Sequence, residues 1–154
     1  MQRPPLRVTA VALNHLGNGW LYIYLAIILF CMQGWSATRV IWSAGVSAAI
    51  AHGVYPVIKF RVQRPRPIER DPTLVRAAAP LDAFSCPSGH CMTAVAVAVP
   101  LALTFSQAIL PLLLLVLLIA WARLAVAHHY PSDLLFGAVL GGGVGLPVSW
   151  YLLP

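Results

Sequence analysis

The chain has 154 residues, 60% of them hydrophobic and 9% charged, with a formal net charge of +6 at pH 7 and a mean hydropathy of +0.81. That balance excludes an ordinary soluble domain and marks an integral membrane protein. Crossing roughly 30 Å of hydrocarbon takes about 20 helical residues, so the length allows about five spans and no soluble domain beside them.

Residues 1–15 carry Arg3, Arg7 and two prolines before Val8, Val11, Ala12 and Leu13. Too short and too interrupted to span, they read as a tail or interfacial segment. A cleavable signal peptide is not expected, because the first apolar run follows Asn14, His15, Gly17 and Asn18 and precedes no small-residue cleavage pattern. The first span is predicted over about 16–32, with Trp20, Tyr22 and Tyr24 as an interfacial belt. The second covers about 38–60 and ends near Lys59, its Ala, Gly and Ser content suited to close helix contact. Residues 61–86 hold four prolines, five arginines and three of the four carboxylates, so they form a loop outside the hydrocarbon. Further spans are predicted over about 88–105, 108–127 and 133–152, the last with a Gly141-Gly142-Gly143 tract read as a packing feature. The fold class is therefore all-α, a single membrane-embedded bundle of about five transmembrane helices. Cys31, Cys86 and Cys91 match no disulfide or zinc pattern.

If the spans alternate, the end of the second, the start of the third, the end of the fourth and the start of the fifth share one face. Lys59, Arg61, Arg64, Arg66, Arg70, Arg76 and Arg123 lie there with Arg3 and Arg7, and so do Glu69, Asp71, Asp82 and Asp133; Arg39 alone is opposite. A merely structural bundle has no need of such sorting. It implies an anionic partner, either lipid headgroups or a substrate.

At that face Pro87-Ser88-Gly89-His90 opens a long apolar run. Taken alone it reads first as a capped helix start. A helix mouth also leaves backbone N–H groups free for an anion, with Gly89 permitting close approach. Two other groups converge on it: Lys59 with Arg66-Pro67 seven residues on, and Arg123 with His129 six residues on and Asp133 four further.

These three pieces, over roughly residues 59–133, resemble the tripartite signature of the type 2 phosphatidic acid phosphatase superfamily, which includes vanadium haloperoxidases and glucose-6-phosphatase. Two departures are visible. Ala122 stands where the family usually has a serine before the arginine, and five spans are predicted where its membrane members commonly have six. The resemblance implies that His129 is the nucleophile and His90 the acid.

The residue types suit that chemistry. A phosphoryl group in transfer spreads charge over three oxygens, and catalysis is mostly positioning and electrostatics. Lys59, Arg66 and Arg123 supply cations, and Ser88 with the Gly89 and His90 N–H groups would complete the cradle. Each cation taken singly reads as a snorkelling side chain at a span end. A carboxylate at Asp133 bonded to one nitrogen of His129 would fix the tautomer and free the other to attack. His128 misses both spacings and reads as a headgroup contact or a solvated residue. His52 reads as a packed, hydrogen-bonded histidine, and His15 as interfacial. Three cations around two histidines and one carboxylate oppose a divalent ion, so no metal and no other cofactor is expected.

The expected activity is a metal-independent phosphoric ester hydrolase acting on a lipid phosphomonoester or diphosphate through a phosphohistidine. Polyprenyl diphosphate hydrolysis and phosphate transfer between lipids stand as alternatives. A non-enzymatic bundle binding or conducting anions would need the cations but neither histidine. Partners are the lipid phosphate and membrane lipids, not nucleic acid. The expected location is a bacterial inner membrane; the resemblance to six-span members implies a site on the outer face, whereas the charge distribution favours the cytoplasmic face.

Overall fold

A computed structural model describes residues 4–71, 73, 74 and 77–154, and the backbone alone for 4–7. Arg3, Arg76 and the side chain of Arg7, all counted in the charge sorting, lie outside that description. The described chain forms seven helices and no strand: α1 (Pro4–Leu16), α2 (Trp20–Gln33), α3 (Thr38–Val62), the short α4 (Pro67–Arg70), α5 (Gly89–Thr104), α6 (Ile109–Ala125) and α7 (Pro131–Leu152). A 3-10 turn at Gly34–Ala37 joins α2 to α3, and another at Ser106–Ala108 joins α5 to α6.

Long apolar stretches run over Trp20–Arg70, which contains both α2 and α3, over Ser106–Ala125 and over Pro131–Leu152, while Gly89–Thr104 is apolar and shorter. Polarity is inverted relative to a soluble protein. Leu113, Leu114, Leu117 and Leu118 of α6 are exposed toward the bilayer, whereas Arg66, Arg123, His128, His129 and Asp133 are buried. In hydrocarbon the hydrophobic effect does not drive helices together, so small residues must bring backbones into contact.

The α5–α7 pair shows how. Gly137, Gly141 and Gly145 recur every four residues and so share one face of α7. A Cβ at Gly137 would lie 2.5 Å from the Ser88 carbonyl oxygen, and one at Gly145 would lie 2.9 Å from Val99 Cβ; at Gly141 it would collide with the Met92 carbonyl. Of the predicted Gly141–Gly143 tract only Gly141 serves this contact, since Gly142 and Gly143 face open space. The close approach sets the start of α5 on the start of α7, where Ser88 N–H donates to the Asp133 carbonyl at 3.0 Å.

The N-terminal segment differs from the expected tail. It forms a 13-residue helix that packs along α6, burying Ala10, Asn14 and Gly17. Small and polar residues at this near-helical spacing make a face that hydropathy alone does not register as buried.

Candidate active site

Four helix ends and two loops meet at one face. Lys59 is in the last turn of α3, Ser88 caps α5, Arg123 closes α6, and His128 and His129 lie in the tight link to α7, which begins with Asp133 at its third position.

His129 is buried, and its Nδ1 lies 2.6 Å from the backbone oxygen of Ser85. A carbonyl only accepts, so Nδ1 carries the proton and Nε2 keeps the lone pair. The Asp133 carboxylate was expected to make this bond, but it lies 3.7 Å from Nδ1. Its oxygens are engaged elsewhere: Oδ1 accepts from Arg64 Nη1 at 2.8 Å, and Oδ2 accepts from the Tyr130 N–H at 2.8 Å, capping α7. Arg64 also donates to Ser132 Oγ at 2.8 Å and stacks over the Tyr130 ring at 4.0 Å. Asp133 thus anchors the loop that carries His129 and faces the ring as a charge. Burial pushes the His129 imidazole down to about 4; Asp133 opposes this, and the cations Arg123, Arg66 and Lys59 reinforce it. All three predicted cations therefore act on the predicted nucleophile.

Lys59 and Arg66 converge on a residue that sequence reasoning did not single out. Lys59 Nζ donates to both oxygens of Asp82, at 2.8 and 2.7 Å, and Arg66 Nη2 donates to Oδ1 at 2.6 Å. Arg66 also donates through Nε to the Asp82 carbonyl at 3.1 Å and through Nη1 to the His128 carbonyl at 2.7 Å. Burial works to raise the Asp82 carboxyl, but the hydrogen bonds and charges of Lys59 and Arg66 hold it below the usual carboxylate range. Its only signal in the sequence was to be an acid inside an arginine-rich loop.

Arg123 is buried and held at both ends of its fork. Nη1 donates to Asn14 Oδ1, and Nη2 lies 3.2 Å from His128 Nδ1. His128 is accordingly neither solvated nor a headgroup contact: it is 1% exposed, with Nε2 donating to the Ala78 carbonyl at 3.1 Å. Burial, with Arg123 and Arg66, pushes it to about 4 despite the Ala78 bond, so it is neutral and can accept from Arg123. Arg123 Nε remains a buried donor without a partner among the described residues.

His90, in the first turn of α5, lies within electrostatic reach of Arg123, His129 and Lys59. Its Nε2 donates to Asn18 Oδ1 at 2.7 Å. Ser88 Oγ accepts from the Cys91 N–H at 3.4 Å, the capping role, and can still donate its own proton. At Gly89 a Cβ would touch the Tyr55 ring at 3.1 Å, so the glycine admits an aromatic neighbour as well as a bare helix mouth. His52 is exposed at the surface and packs edge-to-face on Tyr55, with ring centroids 5.6 Å apart. It keeps a bond to the Ala48 carbonyl at 2.9 Å and, with Tyr22, Tyr55, Asn18, Gly89 and His90, lines a small cavity. Among the described residues no group of three His, Cys, Asp or Glu side chains stands together as metal donors would.

The structure thus brings to one face three cations, two of them bonded to Asp82, a neutral imidazole at His129 and a second imidazole at His90 within electrostatic reach of it. A family model described as the PAP2 superfamily matches residues 37–153. The decaprenylphosphoryl-5-phosphoribose phosphatase of Mycobacterium tuberculosis (strain ATCC 25618 / H37Rv) is 34% identical over 156 residues, covering 97% of this chain and 82% of that protein. The enzyme of the same name from Mycolicibacterium smegmatis is 37% identical over 139 residues, covering 88% and 73%. Among solved structures, that of Aquifex aeolicus LpxE superposes with a TM-score of 0.77 at 25% identity, covering 97% of this chain and 88% of that one. The fold is also that of a transmembrane PAP2 type phosphatidylglycerolphosphate phosphatase from Bacillus subtilis, with a TM-score of 0.68 at 22% identity, covering 98% and 78%.

Proposed function

The chain belongs to the PAP2 superfamily and is an integral membrane phosphatase, and from that premise we propose that it hydrolyses a lipid-borne phosphomonoester through a phosphohistidine on His129. The observation that carries the reading is the tautomer of His129: Nδ1 is committed to the Ser85 carbonyl, and Arg123, Arg66 and Lys59 act on the ring electrostatically.

The steps follow from the groups present. Nε2 of His129 attacks phosphorus, the bond to the leaving oxygen breaks, and that oxygen takes a proton from His90. His90, now neutral, removes a proton from water, whose oxygen displaces the histidine, and inorganic phosphate leaves as His129 recovers its lone pair. Lys59, Arg66 and Arg123 stabilise the equatorial charge throughout, and the unpartnered Arg123 Nε has the chemistry of a donor to one of those oxygens. Ser88 and the N–H groups of Gly89 and His90 complete the cradle, and the 61–86 loop caps it.

The relatives' activity supports a polyprenyl-linked phosphomonoester as the substrate class. The lipid chain would lie along an apolar cavity of about 240 Å3 between α2, α3 and α5, whose lining includes Tyr22, Ala26, Ala44, Gly45 and Val97. Tyr22 also lines the small cavity beside His90. Phosphate release from a panel of phosphatidic acid, phosphatidylglycerophosphate, a polyprenyl-phosphate-linked sugar phosphate and polyprenyl diphosphate tests the assignment; turnover of the diphosphate alone contradicts it.

The charge distribution supports a bacterial inner membrane with the site facing the cytoplasm. Setting aside Lys59, Arg66 and Arg123, the described Arg61, Arg64 and Arg70 still lie on the site face against Arg39 alone on the other. Cys86, with Cys31 and Cys91 replaced, should then resist an impermeant maleimide in intact spheroplasts and react after lysis. Labelling without lysis would place the site outside.

A further inference from the structure

The two asparagines of the N-terminal segment precede residue 37, where the family match begins, and have no part in the chemistry above. Asn14, 4% exposed in the last turn of α1, accepts from Arg123 Nη1. Asn18, four residues on in the turn to α2, accepts from His90 Nε2 at 2.7 Å. Between them Gly17 lies against the same imidazole, where a Cβ would sit 3.1 Å from His90 Cδ2. Asn14 thus meets α6 through Arg123 from the helix, and Asn18 meets α5 through His90 from the turn that follows it.

Beside Arg123 a neutral amide is the functional group this task requires, and beside His90 an acceptor suffices. A carboxylate beside Arg123 would pair with the guanidinium and compete with a phosphate oxygen, and an aliphatic side chain would leave a buried donor unsatisfied. A neutral acceptor holds each donor in place without cancelling its charge. With Nη1 and Nη2 each making one contact, the fork of Arg123 is held, and Nε is its nitrogen without a partner among the described residues.

We propose that Asn14 and Asn18 are positioning residues, through which the N-terminal helix and its turn complete the active site by orienting Arg123 and His90. The inference rests on the phosphatase reading of those two groups. A misplacement of about 1 Å costs up to roughly 100-fold in rate, so Asn18→Ala should lower kcat on an alkyl phosphate by about 10- to 100-fold. The test is a double-mutant cycle in the full-length, membrane-reconstituted protein. If Asn18 acts through His90, Asn18→Ala should change the activity of His90→Ala by less than about twofold. The same large loss in both backgrounds would overturn the proposal.

Asn18→Asp keeps the acceptor and adds a charge that favours the imidazolium, so it should retain turnover and move the basic limb of the pH–rate profile upward. An unmoved limb would also overturn it. Asn14→Asp should weaken inhibition by vanadate about tenfold or more, through a carboxylate placed on Arg123, and unchanged inhibition would count against Asn14. The acid role of His90 is read separately. Equal losses by His90→Ala on alkyl and aryl phosphates would refute that role while leaving the cycle interpretable.

Discussion

The carboxylate of Asp82 chelates the ammonium of Lys59 at 2.7 and 2.8 Å and at the same time takes a 2.6 Å bond from Arg66. Two of the three cations proposed to bind phosphate are thus bonded to an anion of the protein's own loop. A phosphate entering this cradle must share those donors with Asp82 or displace it. Arg66 stays placed without the carboxylate, since the Asp82 and His128 main-chain carbonyls also hold it. Asp82→Asn should therefore tighten inhibition by inorganic phosphate by about threefold to tenfold, the scale of a removed like charge near the site. Weaker inhibition would mean that Asp82 is a strut that organises the cations.

The depressed His129 imidazole has a kinetic signature. The nucleophile is active only when neutral, so as pH falls, kcat/KM should hold until near pH 4 and then decline. An acidic limb near the ordinary histidine value of about 6.5 would contradict the buried, cation-ringed environment. Because the Ser85 carbonyl already fixes the tautomer, Asp133→Asn should cost about 10- to 100-fold, well short of the roughly 10⁴-fold seen where an aspartate alone sets it. A loss of the full 10⁴ would show that Asp133 takes over the ring during turnover.

Much of this site was legible because its reactive side chains sit at the ends of long apolar runs, where hydropathy places them all on one face. Span boundaries put Lys59, Arg66, Arg123, His90 and His129 on one face, and the resemblance of their spacing to the family's signature singled them out. The supporting contacts were not legible in the same way. The Ser85 partner of His129 is a main-chain carbonyl, which leaves no mark in the residue type, and its position depends on the path of the 61–86 loop. His128 differs from His129 only by burial, which the tight turn after α6 decides. Asn14 and Asn18 lie in a segment too short to span, and its helix gains stability by packing on α6 rather than from its own hydropathy. For the fold, the five long helices followed from apolar length, whereas the α5–α7 register followed from Gly137, Gly141 and Gly145, of which the sequence reading emphasised one.

The groove between α2 and α3 gives a substrate-length test. Gly45 lines it, and a Cβ there would meet nothing within 4 Å, so a larger side chain fills the groove without disturbing the helices. Gly45→Leu should raise KM for a long-chain lipid phosphate about tenfold, an order set by the 1.5–3 kcal/mol of a buried aliphatic contact, and leave a short, soluble phosphate ester unaffected. Equal effects on both would show that the lipid chain lies elsewhere.

The claim on which the account turns is phosphoryl transfer to His129 and to no other group. Rapid quenching of the enzyme during turnover of a lipid substrate labelled in its phosphate, followed by peptide mapping under alkaline conditions, measures it directly. The account predicts an acid-labile, alkali-stable phosphate on the peptide containing His128 and His129, assigned by fragmentation to His129 and absent in His129→Ala. Label on His128 or His90, or normal phosphate release by His129→Ala, would contradict it.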